Sequence, residues 1–424
     1  MQRIFVKDRM LVNEDGTPFF YLADTAWELA HRLNREEIEH YFAERSRQGF
    51  TAAQIVVLAE FEGITVPNVC GRLPLKMTGG TPDPTKPDVD GEYSFWDHLD
   101  FIVETAEKAG MFAVLLPTWG DKFNQKWGKG PEIFTPDNAK VYGRWIAARY
   151  ADRSNIIWML GGDRPLETPE HRAIVDSMAE GIRQADTHSL ITFHPPGCAT
   201  SADFLADADY IDFHTSQTGH STDQCYESDR VMAKMRAFGK PYLDSEPRYE
   251  DHPACFDASI GYYWNAHDVR VNAYRDVLAG ACGHTYGNHC IWSMTKEPTD
   301  YFPYRWDEAL IHTGAEQIAF VKKLRLSRDP FDFEPADEIV LTSYEGEGRV
   351  TAARGERFAY VFSPLGLPFT VECPFANAKA ARAAWFDPRT GEEQVFTVVP
   401  PRGKLTFAPP KQGEDWLLIL DACR

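Results

Sequence analysis

The sequence predicts an α/β protein: a (β/α)8 barrel, the TIM-barrel fold, followed by a small all-β sandwich domain. First, about eight apolar, strand-like runs alternate with helix-like segments in the first 330 residues or so, which is the rhythm of such a barrel. Second, polar side chains follow most of these runs directly. Third, the pattern changes after Pro330 to short alternating runs separated by Pro, Gly and charged turns. We therefore predict a barrel at 1–330 and a sandwich at 331–424.

The first β-then-α unit has the clearest local signals. The run "PFFYLAD" at 18–24 predicts a strand, and the segment 34–49 predicts a helix. Asn34 is a suitable N-cap, Glu37 stands at the capping-box position, and Gly49 marks the end of the helix.

The other units follow in order, each with an apolar run and most with a helix-like segment after it. The predicted strands and helices are 52–59 with 94–110, 111–119 with 138–152, 155–163 with 169–186, 189–197, 210–220 with a helix near 225–238, 240–250 with 268–280, and 284–293 with 314–327. A doubly wound dinucleotide-binding sheet is the alternative, but such a sheet characteristically has a GxGxxG turn after its first strand. The chain has "ADTAWELAH" there, so the barrel is favoured.

The region 331–424 predicts a sandwich from runs such as "EIVLTSY", "RFAYVFS", "ARAAWFD" and "DWLLIL". The segment "DPRTGE" at 387–392 is typical of a hairpin loop. Phe358, Tyr360 and Phe362 alternate along one strand and therefore share a face. We expect this face to be buried in the core of the sandwich, and the domain to have a structural role.

Charge and composition narrow the function. The chain has 63 acidic and 44 basic residues, a net charge of −19, which disfavours nucleic acid and anionic membranes as partners. A neutral or weakly charged small ligand suits this surface better. No apolar run reaches transmembrane length, and the N-terminus lacks the features of a signal peptide. The eight cysteines are scattered without CxxC spacing, which indicates reduced thiols. The expected location is cytoplasmic.

Catalytic groups of a barrel collect at the C-terminal ends of its strands, so the polar residues after each run are candidates. They are Asp24 and Trp27, Glu60 and Glu62, Trp119 and Asp121, Asp163 and Arg164, His194, then His214, Gln217 and His220, Glu246 and Arg248, and finally His284, Tyr286, His289 and Trp292.

Two carboxylates in this set predict glycoside hydrolysis. Asp163 follows "IIWMLGG" and Glu246 follows "PYLDS", after the fourth and seventh strands, on opposite sides of the barrel mouth. Cleavage of a glycosidic bond needs one carboxylic acid to protonate the leaving oxygen and a second carboxylate facing the anomeric carbon. The alternative for each is a structural salt bridge with its neighbour, Arg164 or Arg248.

Aromatic and histidine side chains supply candidate sugar contacts, since a sugar presents an apolar C–H face to a ring and hydroxyls to polar groups. The predicted substrate-binding residues are Asp24, Trp27, Trp119, His194, His214, Gln217, His284, Tyr286, His289 and Trp292. Packing in the core is the alternative for each tryptophan. Trp127 and Tyr249 are further candidates for stacking.

The histidines also raise the possibility of a metal-dependent barrel hydrolase. Such an enzyme requires a closely spaced His pair after the first strand, where this chain has "DTAW". The sequence also contains no HExxH motif. The chain also lacks GxxxxGK[ST] and GxSxG. We therefore expect no metal and no cofactor.

With these residues placed, the chain resembles the apiosidase-like group, glycoside hydrolase family 140. The motifs that carry the resemblance span nearly the whole chain: "FFYLADTAWEL" (19–29), "VPNVCGRLPL" (66–75), "IIWMLGGDRP" (156–165), "PYLDSEPRYE" (241–250), "GHTYGNHCIW" (283–292) and "WFDPRTGE" (385–392). The resemblance implies a (β/α)8 barrel with a C-terminal β-sandwich labelled a collagen-binding domain. It also implies Asp163 and Glu246 as the catalytic pair.

The fold further resembles the clan of retaining barrel glycosidases, with the acid/base after the fourth strand and the nucleophile after the seventh. That clan usually has Asn-Glu after the fourth strand, whereas this chain has Gly162-Asp163. The expectation is an exo-acting, retaining hydrolase of a plant cell-wall-type oligosaccharide, with Asp163 as acid/base and Glu246 as nucleophile. A non-catalytic carbohydrate-binding or matrix-binding protein on the same scaffold is the alternative.

Overall fold

A computed structural model describes residues 1–221 and 228–423 of the chain. It contains eight short strands, β1 to β8, at the positions of the predicted apolar runs. Their bounds are Tyr21–Thr25, Ala52–Leu58, Phe112–Thr118, Ile156–Gly161, Leu190–His194, His214–Gln217, Tyr242–Asp244 and Gly283–Tyr286.

The eight strands form one closed parallel barrel. Strands β5, β4, β3, β2, β1 and β8 are hydrogen-bonded in that order, and β6 pairs in parallel with β7. Backbone hydrogen bonds complete the ring: Asp212 N–H donates to Ile191 O (2.8 Å) between β5 and β6, and Cys282 N–H donates to Tyr242 O (2.9 Å) between β7 and β8. The predicted (β/α)8 barrel is therefore confirmed.

Each strand is followed by one outer helix, α1 to α8. The helices are Arg35–Arg47, Phe95–Lys108, Pro136–Tyr150, Pro169–Ala185, Ser201–Leu205, Ser228–Arg236, Ala266–Leu278 and Thr313–Leu326. The capping box predicted for α1 is present, because Asn34 Oδ1 accepts from Glu37 N–H (3.0 Å) and Glu37 Oε2 accepts from Asn34 N–H (2.7 Å). The predicted helix near 225–238 is seen as α6; residues 222–227 lie outside the described part of the chain.

Shorter elements decorate the barrel. Three antiparallel strands, Ile4–Lys7, Met10–Asn13 and Pro18–Phe19, precede β1. Four of their apolar residues pack into the lower end of the barrel interior: Ile4, Met10, Leu11 and Phe19. A hairpin of Leu75–Thr78 and Thr81–Pro87 lies between β2 and α2. Short helices occupy Leu29–Arg32, His289–Trp292 and Trp306–Ala309. The upper end of the barrel is thus left to the loops after the strands.

The C-terminal region folds into two antiparallel sheets, as the sequence predicts. One has the strands Glu334–Pro335, Thr351–Arg354, Phe358–Ser363, Trp416–Cys423, Ala380–Asp387 and Glu392–Val399, in that order across the sheet. The other has Val340–Thr342, Phe369–Pro374 and Arg402–Phe407. The loop at 388–391 closes the predicted hairpin, with Gly391 N–H donating to Asp387 O (2.8 Å).

The sandwich packs on α7 and α8 of the barrel. The rings of Tyr274 and Phe362 stack at 5.1 Å, and Tyr360 Oη donates to Leu324 O at 3.2 Å. Arg270 of α7 forms a buried two-pronged ion pair with Asp415, with N···O distances of 2.9 and 2.7 Å. The two domains therefore share an apolar interface that is fixed by a buried charge pair.

The face formed by Phe358, Tyr360 and Phe362 is buried, as expected, but the structure corrects what covers it. All three belong to the apolar cluster that lies between the barrel and the sandwich. The residues between them, Ala359 and Val361, face the core of the sandwich instead. The strand is apolar on both faces because one covers the sandwich core and the other covers the barrel.

Two further findings concern the whole described chain. No helix at residues 1–221 or 228–423 is long and apolar enough to cross a bilayer. Within these ranges Cys70, Cys282, Cys290, Cys373 and Cys423 are free thiols, and Cys225 lies outside them.

Candidate active site

A cavity of about 640 Å3 opens at the C-terminal ends of the barrel strands. Asp163, Glu246 and Glu60 lie on its wall together with Gln217 and His220. The rest is mostly aromatic, a composition that suits a ligand with apolar faces. The aromatic wall is formed by Trp27, Phe61, Trp119, Trp127, Tyr249, Phe256, Trp292, Tyr301 and Phe302.

The backbone at the end of β4 directs Asp163 into this cavity. Gly161, Gly162 and Asp163 all have positive φ, at 88°, 112° and 55°. A Cβ on Gly161 would lie 2.5 Å from His194 O, and one on Gly162 would lie 2.7 Å from Gly120 N. Only glycine fits this turn without displacing the neighbouring strands. The two glycines therefore set the position from which the Asp163 side chain leaves the strand.

Glu246 follows β7 and is held by two histidines. His220 Nε2 donates to its Oε1 at 3.1 Å, and His194 Nε2 lies 3.0 Å from its Oε2. The backbone N–H of Glu246 donates to Asp244 Oδ1 at 3.1 Å. The sequence offers a salt bridge between Glu246 and Arg248 as the alternative. Nη1 of Arg248 lies 4.0 Å from Oδ1 of Asp268 instead. The carboxylate is thus fixed by neighbours that favour its charged form.

The tautomer of His194 follows from its contacts. The backbone N–H of Asp163 donates to Nδ1 of His194 (3.3 Å), so this nitrogen is unprotonated in the neutral ring. The ring proton is therefore on Nε2, the atom that faces Glu246. One imidazole links the backbone of Asp163 to the side chain of Glu246.

The environment shifts the pKa values of the two carboxyl groups in opposite directions. Burial and the nearby Glu246 charge raise the pKa of Asp163, against the opposing effects of Arg164 and His194. Burial alone would also raise the pKa of Glu246, but His194 and His220 outweigh it and lower that pKa. One carboxyl group is thereby favoured as an acid and the other as an anion, the pattern of an acid and nucleophile pair.

A buried arginine connects Asp163 to a third carboxyl group. Arg164 Nη1 donates to Asp163 Oδ2 at 2.8 Å, so the salt bridge considered as the alternative for Asp163 exists. Its Nη2 lies 3.4 Å from Glu60 Oε1. Burial, partly offset by Arg164, raises the pKa of Glu60 to about 7. The guanidinium is therefore shared between two carboxyl groups, both on the cavity wall.

Six of the predicted site residues lie on the cavity wall: Asp163, Glu246, Trp27, Trp119, Gln217 and Trp292. Trp27 donates from Nε1 to Tyr249 Oη at 3.0 Å, and its ring contacts that of Trp119. Two predicted histidines lie directly behind the wall. His194 is covered by Trp27 and Trp119, and His289 stacks on Phe302 at 4.5 Å.

The other four predicted residues, Asp24, His214, His284 and Tyr286, point away from the cavity, towards the outer helices. Asp24 Oδ2 accepts from Tyr41 Oη and Arg45 Nε of α1, both at 2.7 Å. His214 Nδ1 lies 2.8 Å from Ser201 Oγ, and His284 Nδ1 lies 2.9 Å from Asp276 Oδ2. Tyr286 Oη donates to Glu250 Oε2 at 2.6 Å.

The physical reason is the alternation of side chains along a strand. In β1, Tyr21 and Ala23 face the barrel interior, so Leu22 and Asp24 face the helices. His284 and Tyr286 pair in register with Leu22 and Asp24 and share their face. These residues therefore connect the strands to the surrounding helices. Burial lowers the pKa of His214 and of His284 to about 4, so both side chains are neutral near pH 7.

Several wall residues have no role in the predicted site. His220 and Glu60 are strand-end candidates after β6 and β2, but the sequence assigns them neither catalysis nor substrate binding. Phe61, His252, Phe256, Tyr301 and Phe302 come from loops, where no periodicity distinguishes a lining residue from any other. Within residues 1–221 and 228–423, no three His, Cys, Asp or Glu side chains are arranged to hold a metal ion.

Comparison with known proteins agrees with this fold. The chain is a glycoside hydrolase. Residues 6–332 match the family model "Apiosidase-like, catalytic domain", so it belongs to the apiosidase-like family. Residues 335–421 match the model "Putative collagen-binding domain of a collagenase". No curated protein matches the sequence.

Solved structures resemble the whole chain. One, titled "Glycoside hydrolase", is 29% identical with a TM-score of 0.91, and the match covers 99% of this chain and 97% of that one. A glycoside hydrolase family 5 protein from Bacteroides vulgatus is also 29% identical, with a TM-score of 0.90 and coverage of 99% and 93%. An endo-1,4-beta-mannanase from Rhizomucor miehei shares the fold, at 11% identity, a TM-score of 0.51 and coverage of 75% and 99%.

Proposed function

We propose that the protein is an exo-acting, retaining glycoside hydrolase in which Glu246 is the nucleophile and Asp163 the acid/base. The observation that carries the proposal is that two carboxyl groups line one aromatic cavity while their surroundings push their pKa values apart. In the first step, Glu246 attacks the anomeric carbon. The bond to the leaving oxygen breaks, and that oxygen takes the proton of Asp163.

In the second step the roles reverse. Asp163, now ionised, accepts a proton from a water molecule, and this water attacks the anomeric carbon. The bond to Glu246 breaks, and the sugar leaves with its original anomeric configuration. In the first step His194 and His220 keep Glu246 ionised for attack, and in the second their contacts stabilise its carboxylate as it departs.

The wall of the cavity and the family support the proposed substrate class. A cavity of about 640 Å3 lies in the usual range for small-ligand sites, roughly 300 to 1,000 Å3, and suits the sugar at a chain end. The aromatic wall supports a neutral sugar, and the family model names apiosidase-like proteins. We therefore expect a plant cell-wall-type oligosaccharide, with apiose-containing glycosides as the first to be tried.

The test is a screen of the purified enzyme against plant cell-wall oligosaccharides, with mass detection of the released monosaccharide. Proton NMR of the first-formed product gives its anomeric configuration. Release of one terminal sugar with retained configuration supports the proposal. Release with inverted configuration would contradict the retaining mechanism, and no release from any oligosaccharide or aryl glycoside would contradict the function.

A further inference from the structure

An exposed tryptophan lies against the side chain of Asp163. Trp127 is 60% exposed, lines the cavity and donates from Nε1 to Asp163 Oδ2 at 3.0 Å. Its ring lies 4.4 Å from the guanidinium of Arg164, which holds the same carboxylate oxygen. The ring continues the aromatic wall of the cavity, and a contiguous exposed apolar surface beside a reacting group points to a ligand.

The loop that presents Trp127 is built to hold it in place. Asp121 Oδ2 is buried and accepts from the backbone N–H groups of Lys129 (3.1 Å) and Gly130 (2.9 Å). The buried Lys122 Nζ binds the same oxygen at 2.9 Å and also donates to Gly130 O at 3.0 Å. Gln125 N–H donates to Glu132 Oε1 at 2.7 Å. The ring therefore stands on a preorganised loop, which reduces the entropy lost when a ligand stacks on it.

The contacts of Asp163 also indicate which of its two carboxyl oxygens carries the proton. Trp127 and Arg164 both donate to Oδ2, so a proton on the carboxyl group belongs on Oδ1. In the proposed reaction Oδ1 must then approach the oxygen of the leaving group. The part of the substrate beside Asp163 is the leaving group, and Trp127 is the exposed ring next to it.

From this geometry we infer that Trp127 forms the binding site for the leaving group and stacks on a sugar ring there, while its N–H fixes the orientation of Asp163. The inference rests on the proposed function. The ligand class is a neutral sugar joined through its oxygen to the cleaved unit. An apolar sugar face covers the indole, as the terminal sugar covers the aromatic residues deeper in the cavity.

The test compares leaving groups. Trp127→Ala and wild type are assayed on three substrates of the monosaccharide found in the screen: a disaccharide, a methyl glycoside and the glycosyl fluoride. Fluoride has no ring to stack and needs no proton to depart. We expect kcat/KM of the variant to fall about 10- to 100-fold on the disaccharide and less than about 3-fold on the fluoride, with the methyl glycoside between them.

Phe256→Ala is the matched control. Phe256 is a cavity-lining aromatic residue of similar exposure, 61%, but it packs on His220 and His252, on the side of Glu246. Its loss should lower kcat/KM by one common factor for all three substrates. An equal loss on all three substrates for Trp127→Ala would overturn the inference. Failure of the proposed function would look different from failure of this inference, because the wild-type enzyme would then hydrolyse none of the three substrates.

Trp127→Phe separates stacking from the hydrogen bond and has a readout without turnover. The ring remains, so the ratio of kcat/KM on the disaccharide to kcat/KM on the fluoride should stay near the wild-type ratio. The lost N–H donor favoured ionised Asp163, so the alkaline limb of kcat/KM should move to higher pH. Carbon-13 NMR titration of the Asp163 carboxyl group should show the same upward shift. An unchanged titration would overturn the positioning role.

Discussion

Glu246 Oε2 lies 3.0 Å from Nε2 of His194, whose other ring nitrogen accepts the backbone N–H of Asp163. The two proposed reacting groups are therefore connected through one buried side chain. This connection suits a reaction in which the acid and the nucleophile must stay a fixed distance apart.

Removal of the nucleophilic charge should abolish turnover. Glu246→Gln keeps the shape of the side chain but cannot form the glycosyl-enzyme. We expect kcat to fall by at least about 10^3-fold, with an unchanged circular dichroism spectrum. Steady-state kinetics on an aryl glycoside measure this effect. Substantial residual turnover of the folded variant would argue against Glu246 as nucleophile.

Loss of the acid/base should depend on the leaving group. Asp163→Asn should retain more activity on 4-nitrophenyl glycosides than on natural glycosides, because nitrophenolate departs without protonation. Azide should accelerate the variant and give a glycosyl azide of retained configuration, since azide needs no general base. Mass spectrometry and NMR identify this product. Full activity of Asp163→Asn on a natural glycoside would refute the assignment.

The acid limb of the pH profile should report on His220. Glu246 must be ionised to attack, so activity is lost as the pH falls through its pKa. His220 lowers this pKa through its hydrogen bond, and His220→Ala should therefore move the acid limb of kcat/KM to higher pH. His220→Gln, which keeps a donor at about the same distance, should restore much of the original profile. Identical profiles for both variants would contradict this role.

The alkaline limb should respond to Glu60. Asp163 must be protonated to act first, so activity is lost as the pH rises through its pKa. Above the Glu60 pKa of about 7, Glu60→Gln removes a negative charge near Asp163 and leaves the Arg164 charge to Asp163 alone. Both effects lower the pKa of Asp163. We expect the alkaline limb to move to lower pH. Glu62→Gln, at an exposed side chain two residues further on, is the control and should leave the limb in place.

The sandwich should be required for a stable barrel. A chain ending at Pro330 exposes the apolar side of α7 and α8, including Tyr274, and should be insoluble or unfolded. Expression and solubility tests measure this directly. A folded, fully active barrel without residues 331–424 would contradict the structural role of the domain.

A milder variant tests the same interface. Asp415→Asn breaks the buried pair with Arg270, which typically costs about 3 to 5 kcal/mol. Burial alone would raise the pKa of Asp415, but Arg270 and His267 lower it, so its ionised form stabilises the fold above the unfolded pKa of about 3.9. That stabilisation is lost as the pH falls further. The variant's deficit in Tm, measured by calorimetry, should therefore be large at pH 7 and smaller at strongly acidic pH.

The sequence predicts the barrel, the sandwich and the strand-end positions of Asp163 and Glu246 because apolar runs and glycines have a direct physical meaning. The sequence is a poorer guide to the direction in which a strand-end side chain points. Asp24 and Tyr286 stand at strand ends, but the alternation along β1 and β8 points both towards the helices. Phe256 and Tyr301 reach the cavity from loops, whose sequences have no repeating pattern of apolar and polar residues. Their placement depends on contacts between distant segments, which no local pattern contains.

The tight turn at Gly161 and Gly162 also limits how the enzyme can be re-engineered. Because a Cβ at either position would collide with the backbone of a neighbouring strand end, a mutant library that varies these two codons should consist almost entirely of inactive clones. Diversity aimed at new sugars belongs instead at Phe61, Phe256 and Tyr301, which line the cavity from loops. The strand end that carries Asp163 therefore tolerates little change, and the loops at the rim of the cavity are the part open to selection.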